Sequence, residues 1–87
     1  MDDETPPSQP VWLDLKGLKC PLPALHTRRA LERAVPGTRF EVACTDPMSV
    51  IDIPHMVRQT GNVLEGQETP ENTALEAGFL FRIRKAD

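Results

Sequence analysis

Gly17-Leu18-Lys19-Cys20-Pro21-Leu22-Pro23 decides how the rest of this 87-residue chain is read. It sets one cysteine between the end of an apolar run and the start of a helical pattern. Two prolines within three residues of Cys20 would break a helix interior. A first turn tolerates them, because its N–H groups have no intrahelical partner to lose. With Cys20 as the N-cap, Pro21 and Pro23 take the first and third helical positions, and the ring of Pro23 meets only the carbonyl of Lys19, outside the helix. A residue ahead of a proline is pushed away from helical angles, so Leu22 delays the regular helix slightly. The stretch therefore predicts a thiol at the positive end of a helix dipole.

The flanking sequence gives the layout. Val11-Trp12-Leu13-Asp14-Leu15 alternates as a strand does, with Val11, Leu13 and Leu15 on one face, and Gly17 supplies the turn. From Pro21 to Val35, a step of about 100° per residue gathers Ala24, Thr27, Ala30, Leu31, Ala34 and Val35 into one stripe, opposite His26, Arg29 and Arg33. Leu22 and Leu25 fall outside it, as apolar surface beside the cysteine or as packing under a loop. Pro36-Gly37 ends the helix.

Arg39 to Cys44 alternates again, with Phe40, Val42 and Cys44 on one face and Arg39, Glu41 and Ala43 on the other. Asp46-Pro47 reads as the cap and first position of a second helix. Pro54 is expected to interrupt that helix, with Asp52 capping a restart from about Ile53 to Thr60 and Gly61 closing it. Asn62 to Glu68 reads as a weak strand and Thr69 to Gly78 as a polar loop. Phe79 to Lys85 reads as a strand with Phe79, Phe81 and Ile83 inward and Arg82 and Arg84 outward. Trp12, Val63 and Leu80 fall on the sheet face away from the helices, as tail-covered surface or as an interface.

The order β-α-β-α-β-β is that of an α+β fold, a two-layer α/β sandwich in which two helices cover one face of a four-stranded sheet. Residues 1–10, with three prolines and three acids, read as a disordered tail, and 11–87 as a single domain. A strand–helix–strand unit is almost always a right-handed crossover between parallel strands. The loops after the first two strands then emerge at one sheet edge, the edge where ligands commonly sit. Cys20 and the Thr45-Asp46-Pro47 corner are expected to meet there.

Composition narrows the function. The chain is 26% charged and 39% apolar with a net charge of −3, ordinary for a globular domain and contrary to a general nucleic-acid binder. Two cysteines and no long apolar run point to a reducing, cytoplasmic location and no membrane. The charge is uneven: residues 16–39 hold six bases against Glu32, so Cys20 lies in the one basic third of an acidic chain. A helix N-terminus, Lys16, Lys19 and a loop position each predict a lowered thiol pKa, from ~8.5 into the range of roughly 3.5 to 7.5.

No second cysteine stands at two- or three-residue spacing, so an internal redox couple is not indicated. Cys44 reads as a buried strand residue, although a Cys20–Cys44 disulfide would also fit two thiols near one edge. Cys20, Cys44, His26 and His55 match no zinc spacing, so no metal is expected. His26 reads as a solvated residue of the polar helix face and His55 as a surface residue of a first turn. No Gly-rich phosphate loop or paired carboxylate stands out, and no cofactor is expected. Asp46 and Asp52 are accounted for by capping, with Asp46 also placed to touch a partner docking at Cys20.

Leu13-Asp14-Leu15-Lys16-Gly17-Leu18-Lys19-Cys20-Pro21-Leu22-Pro23 resembles the TusA/SirA family of small sulfur-carrier proteins, whose hallmark is Cys-Pro-x-Pro at the head of the first helix. Val35-Pro36-Gly37, Thr45-Asp46-Pro47 leading to Asp52-Ile53-Pro54, and Phe81-Arg82-Ile83-Arg84-Lys85 extend the likeness in order, from about Trp12 to Lys85. The resemblance implies a fold like the C-terminal domain of bacterial translation initiation factor three. Its mixed sheet would have order 1-2-4-3, with the last strand antiparallel to the rest. It also implies that Cys20 accepts sulfane sulfur from a cysteine desulfurase or rhodanese-type donor and passes it to an acceptor protein. In the family that route serves tRNA thiolation, molybdenum-cofactor work or sulfur oxidation.

The leading expectation is thus a persulfide carrier with little turnover of its own. Cys20 bears the sulfur, Lys19, Pro21, Pro23 and Asp46 surround the cargo, and Lys16, Leu22, Leu25, Arg28 and Arg29 form the docking rim. The alternative is a regulatory protein-interaction module in which the cysteine is incidental. RNA binding by analogy of fold is a third reading, opposed by the acidic charge and few aromatics.

Overall fold

The computed structural model describes residues 8–68 and 78–86. Its elements are β1 (Val11–Asp14), α1 (Leu22–Arg33), β2 (Arg39–Cys44), α2 (Ser49–Gln59), β3 (Val63–Glu68) and β4 (Phe79–Arg84). The four strands form one sheet in the order β1-β2-β4-β3. β1 runs parallel to β2, and β4 is antiparallel to both β2 and β3. This is the expected α+β, β-α-β-α-β-β arrangement with its 1-2-4-3 sheet. Most of the tail expected over residues 1–10 and nearly all of the loop expected over 69–78 lie outside the described residues.

The alternation of β2 and β4 builds the core. Phe40 pairs with Ile83 and Val42 with Phe81 across the two central strands, with Cys44 opposite Phe79 at their end. Leu31 of α1 and Ile53, Met56 and Val57 of α2 pack onto this face. The α1 stripe is half-buried to buried, as its periodicity requires, and Pro23 joins it from the first turn. Thr27 and Ser49 are buried too, and each hydroxyl is satisfied by a backbone carbonyl, of Pro23 at 2.8 Å and of Asp46 at 2.7 Å.

Two helix starts differ from the sequence reading. α1 takes Pro21 rather than Cys20 as N-cap, with the Leu25 N–H bonded to the Pro21 carbonyl at 3.1 Å. The Cys20 N–H is held instead by the Asp46 carboxylate, a tertiary bond that keeps Cys20 outside the helix. The Cys20–Pro21 peptide is cis.

α2 begins at Ser49, after a turn in which Asp46 accepts the N–H of Met48 at 3.2 Å. The helix then runs unbroken through Pro54, so the interruption and the Asp52-capped restart do not occur. A proline in a helix interior costs about 3 kcal/mol. Ile53 and Val57 are completely buried on the sheet, and such side chains contribute about 1.5–3 kcal/mol each. Packing on both sides of Pro54 outweighs the local penalty. Gly61, with φ +78°, closes α2 as expected.

The face away from the helices is polar. Arg82 bridges Glu41 at 3.7 Å and Glu68 at 2.6 Å, and Glu65 joins Arg39 at 3.3 Å to Arg84 at 3.0 Å. Trp12 is half exposed there, but Leu80 is buried rather than open. It sits on a central strand between Ala43 and Glu68, whose side chains flank it.

Gly78 opens β4 with φ +118°, and a Cβ built on it would lie 2.5 Å from the carbonyl oxygen of Cys44. Both the dihedral and the contact oppose any side chain, since such a backbone conformation alone costs about 1–3 kcal/mol. Gly78→Ala is expected to lower stability by at least about 2 kcal/mol, read as a fall in the urea midpoint. An unchanged midpoint would contradict the close approach of β4 to the end of β2.

Candidate functional site

The loops after β1 and β2 do emerge side by side. Leu15-Lys16-Gly17-Leu18 forms a turn closed by the Leu18 N–H on the Leu15 carbonyl at 3.2 Å, with Gly17 at φ +89°. That conformation favours glycine at the third turn position. The Gly17 N–H then reaches Thr45 Oγ1 at 2.9 Å, and Asp46 takes the N–H of Cys20. The Thr45-Asp46 corner therefore grips the cysteine loop at two points.

Cys20 is exposed and free, and Cys44 is buried and free, so the two do not form a disulfide. Burial pushes the Cys44 thiol up to about 11, eased by a hydrogen bond with Ser49. Cys20 also moves upward, opposite to the sequence expectation. Its Sγ donates to Asp52 Oδ2 at 2.9 Å, and this bond is the largest cause. Partial desolvation and the negative charges of Asp52 and Asp46 add to it.

The lysines do not offset this. Lys16 turns back to Asp14, with Nζ 3.7 Å from Oδ1, and Lys19 is exposed, offering its backbone carbonyl to Leu22 at 2.8 Å. At rest the sulfur is a neutral thiol tied to a carboxylate.

Beside the thiol runs a groove of about 310 Å³ between the helices. Pro21, Ala24, Leu25 and Arg28 line it from α1 and its cap, and Asp52, His55, Met56 and Gln59 from α2. Of the two prolines only Pro21 presents its ring here, because Pro23 is buried. Leu22 and Leu25 are 42% and 41% exposed, which decides for apolar surface over packing under a loop. Arg29 is exposed, and Arg28 is held to Glu32 one turn on at 3.1 Å. His26 is exposed. A second hollow of about 360 Å³ continues the helix seam toward Thr60, Asn62 and Lys85, sharing Arg28 and Gln59 with the first. No thiol lines it.

Several features escaped the sequence. His55 lies well inside α2 and lines the groove, not a first turn. Met48 and Ile51 are exposed apolar residues around the start of α2. Asp52, which the sequence accounts for by capping, contacts the sulfur. Its sequence signal was weak: an acid six residues after Asp46, at a spacing that serves equally well as a helix start. Among the described residues no three His, Cys, Asp or Glu side chains are grouped to hold a metal ion. Among them, too, no helix is long and apolar enough to cross a membrane.

Comparison with known proteins bears on the same segment. A family model described as "Sulfurtransferase TusA" matches residues 12–85. The sulfur carrier protein TusA of Allochromatium vinosum is 44% identical over 75 residues, 85% of this chain and 91% of the relative. A putative sulfur carrier protein of Thermotoga maritima is 44% identical over 57 residues, 64% of this chain and 72% of the relative. The sulfur carrier protein TusA of Pseudomonas syringae is 33% identical over 73 residues, 84% and 81% respectively.

Proposed function

The chain belongs to the TusA family, and from that premise we propose that it is a sulfur carrier holding sulfane sulfur as a persulfide on Cys20. The observation that supports this most is the exposure of one free thiol at the mouth of a partly apolar groove, while the other thiol is buried. Loading is an exchange between a donor persulfide and the thiol. The Cys20 sulfur attacks the donor's terminal sulfur, the donor S–S bond breaks as the new one forms, and the Cys20 proton ends on the departing donor thiol. Delivery reverses the roles, with a nucleophile of the acceptor taking the outer sulfur and Cys20 leaving as the thiol. No electrons are gained or lost overall, so no cofactor is required of this chain.

The donor is a cysteine desulfurase or rhodanese-type protein, and the acceptor is a downstream protein of a sulfur relay such as tRNA thiolation, in the cytoplasm. Pro21, Lys19 and Asp46 frame the sulfur. Lys16, Leu22, Leu25, Arg28 and Arg29 form the rim against which partners dock, and Met48 and Ile51 extend it. Among the described residues the sheet face carries ion pairs and one half-exposed aromatic, Trp12, whereas Leu22, Leu25, Met48 and Ile51 are all exposed around the helices, which favours the helix side for docking.

The test is to incubate the protein with a cysteine desulfurase, its pyridoxal cofactor and free cysteine, and then weigh it. A gain of one sulfur atom, chased off by an acceptor thiol, is expected. Leu25→Ser, which removes apolar surface without adding a charge beside the sulfur, is expected to slow that gain while leaving alkylation of Cys20 by iodoacetamide unchanged. An exposed thiol that never takes sulfur from any competent donor would leave the interaction-module reading instead.

A further inference from the structure

We propose that Asp52 sets how tightly Cys20 holds its sulfur, stabilising the empty carrier against the loaded one so that cargo is passed on rather than kept. This rests on the carrier reading above and adds to it a residue that chooses between the two states.

The argument starts from the geometry. The thiol donates to Asp52 Oδ2 at 2.9 Å. Asp52 stands on α2 beside the completely buried Ile53, so its position is fixed by the core. The cysteine loop is fixed from the other side, by Asp46 on the Cys20 N–H and Thr45 on the Gly17 N–H. Among the described residues the Asp52 carboxylate has no other side-chain hydrogen-bond or ion-pair partner, so the thiol is its match.

Loading removes that match. A persulfide is a stronger acid than the thiol it comes from, so at neutral pH the loaded cysteine carries its charge on the outer sulfur and has no proton to donate. The inner sulfur then faces Asp52 with nothing to share, and the anion is repelled by both Asp52 and Asp46. The exchange R–S–S⁻ + Cys20–SH ⇌ R–SH + Cys20–S–S⁻, in which the Cys20 proton passes to the departing donor thiol and the charge to the new persulfide, is thereby drawn toward the empty carrier. Among the described residues the other charged or titratable groups lining the groove are Arg28 from α1 and His55 from α2. Arg28 is already engaged by Glu32.

The raised pKa of Cys20 agrees in sign, since what stabilises the protonated thiol also opposes an anion at the same place. The effect is full where Cys20 is a thiol. It fades as pH rises through the raised value, because a thiolate has no hydrogen bond to lose.

The test equilibrates the whole chain with glutathione persulfide and glutathione in fixed ratios at neutral pH, reading the loaded fraction by intact mass. Asp52→Asn is expected to raise the loading constant about tenfold, the lower end of what a hydrogen bond to a charged acceptor supports. It should also speed alkylation of Cys20 by iodoacetamide at neutral pH by shifting the profile downward. Asp52→Ser should move both readouts the same way, and circular dichroism identifies any variant that fails to fold. A purely structural role would lower loading or leave it unmoved. A folded Asp52→Asn protein with an unchanged or smaller loading constant, or with no gain in alkylation, overturns the proposal while leaving the carrier reading standing. Wild-type protein that takes no sulfur at any ratio overturns both.

Discussion

Replacing Cys20 by serine is expected to abolish sulfur loading completely while leaving the fold intact. The fold survives because the Cys20 side chain is exposed, and the bond that anchors the loop comes from its backbone N–H to Asp46. Serine keeps that bond and can still donate to Asp52, but an oxygen cannot form a persulfide, so the mass gain vanishes. Cys44→Ser is the matched control. Cys44 is buried, and its thiol is pushed up to about 11, so it presents little nucleophile to a donor. The hydroxyl of Ser49 lies within reach of a hydroxyl placed there. Loading should survive Cys44→Ser with some loss of stability. Sulfur retained by Cys20→Ser, or found on Cys44, would move the site elsewhere.

Phe81→Ala is expected to cost about 3–5 kcal/mol, the range for truncating a buried aromatic. Phe81 is the largest of the completely buried side chains. It stands on a central strand, opposite Val42 of β2 and Gln67 of β3, under the packed helices. A chain of this size has a net stability of about 4–13 kcal/mol by the usual per-residue range. One truncation therefore removes a large part of it, and the urea midpoint should fall steeply or no cooperative transition remain. A loss below about 1 kcal/mol would mean that the site collapses without leaving a cavity, contrary to the close packing of interiors.

Much of the architecture was legible because it depends on local regularities. Alternation in Arg39–Cys44 and Phe79–Arg84 sorts side chains to two faces whatever the partner strand is. The α1 stripe and the glycines at 17 and 61 depend only on helix period and φ angle. Pro54 shows where local rules fail. Its penalty is intrinsic, but the burial of Ile53 and Val57 that outweighs it exists only once the sheet is in place. The sequence left Leu80 between covered surface and interface, and its burial on a central strand, paired with Ala43 and Glu68, is likewise known only once the sheet is in place.

The site divides along the same line. The sequence by itself determined that a lone cysteine would stand in a loop ahead of a helix, beside the Thr45-Asp46 corner, with Leu22 and Leu25 outside the buried stripe. Proline and glycine geometry, hydrophobic period and the handedness of a β-α-β crossover suffice for that. Its electrostatic character was decided only by the tertiary structure. Lys16 and Lys19 are near Cys20 in sequence, yet Asp52, 32 residues away, holds the sulfur at 2.9 Å and Lys16 turns to Asp14. Charge interactions depend on distances through space, which sequence neighbours do not fix. The contact that keeps the thiol protonated arises only when α2 is laid against the β1–α1 loop.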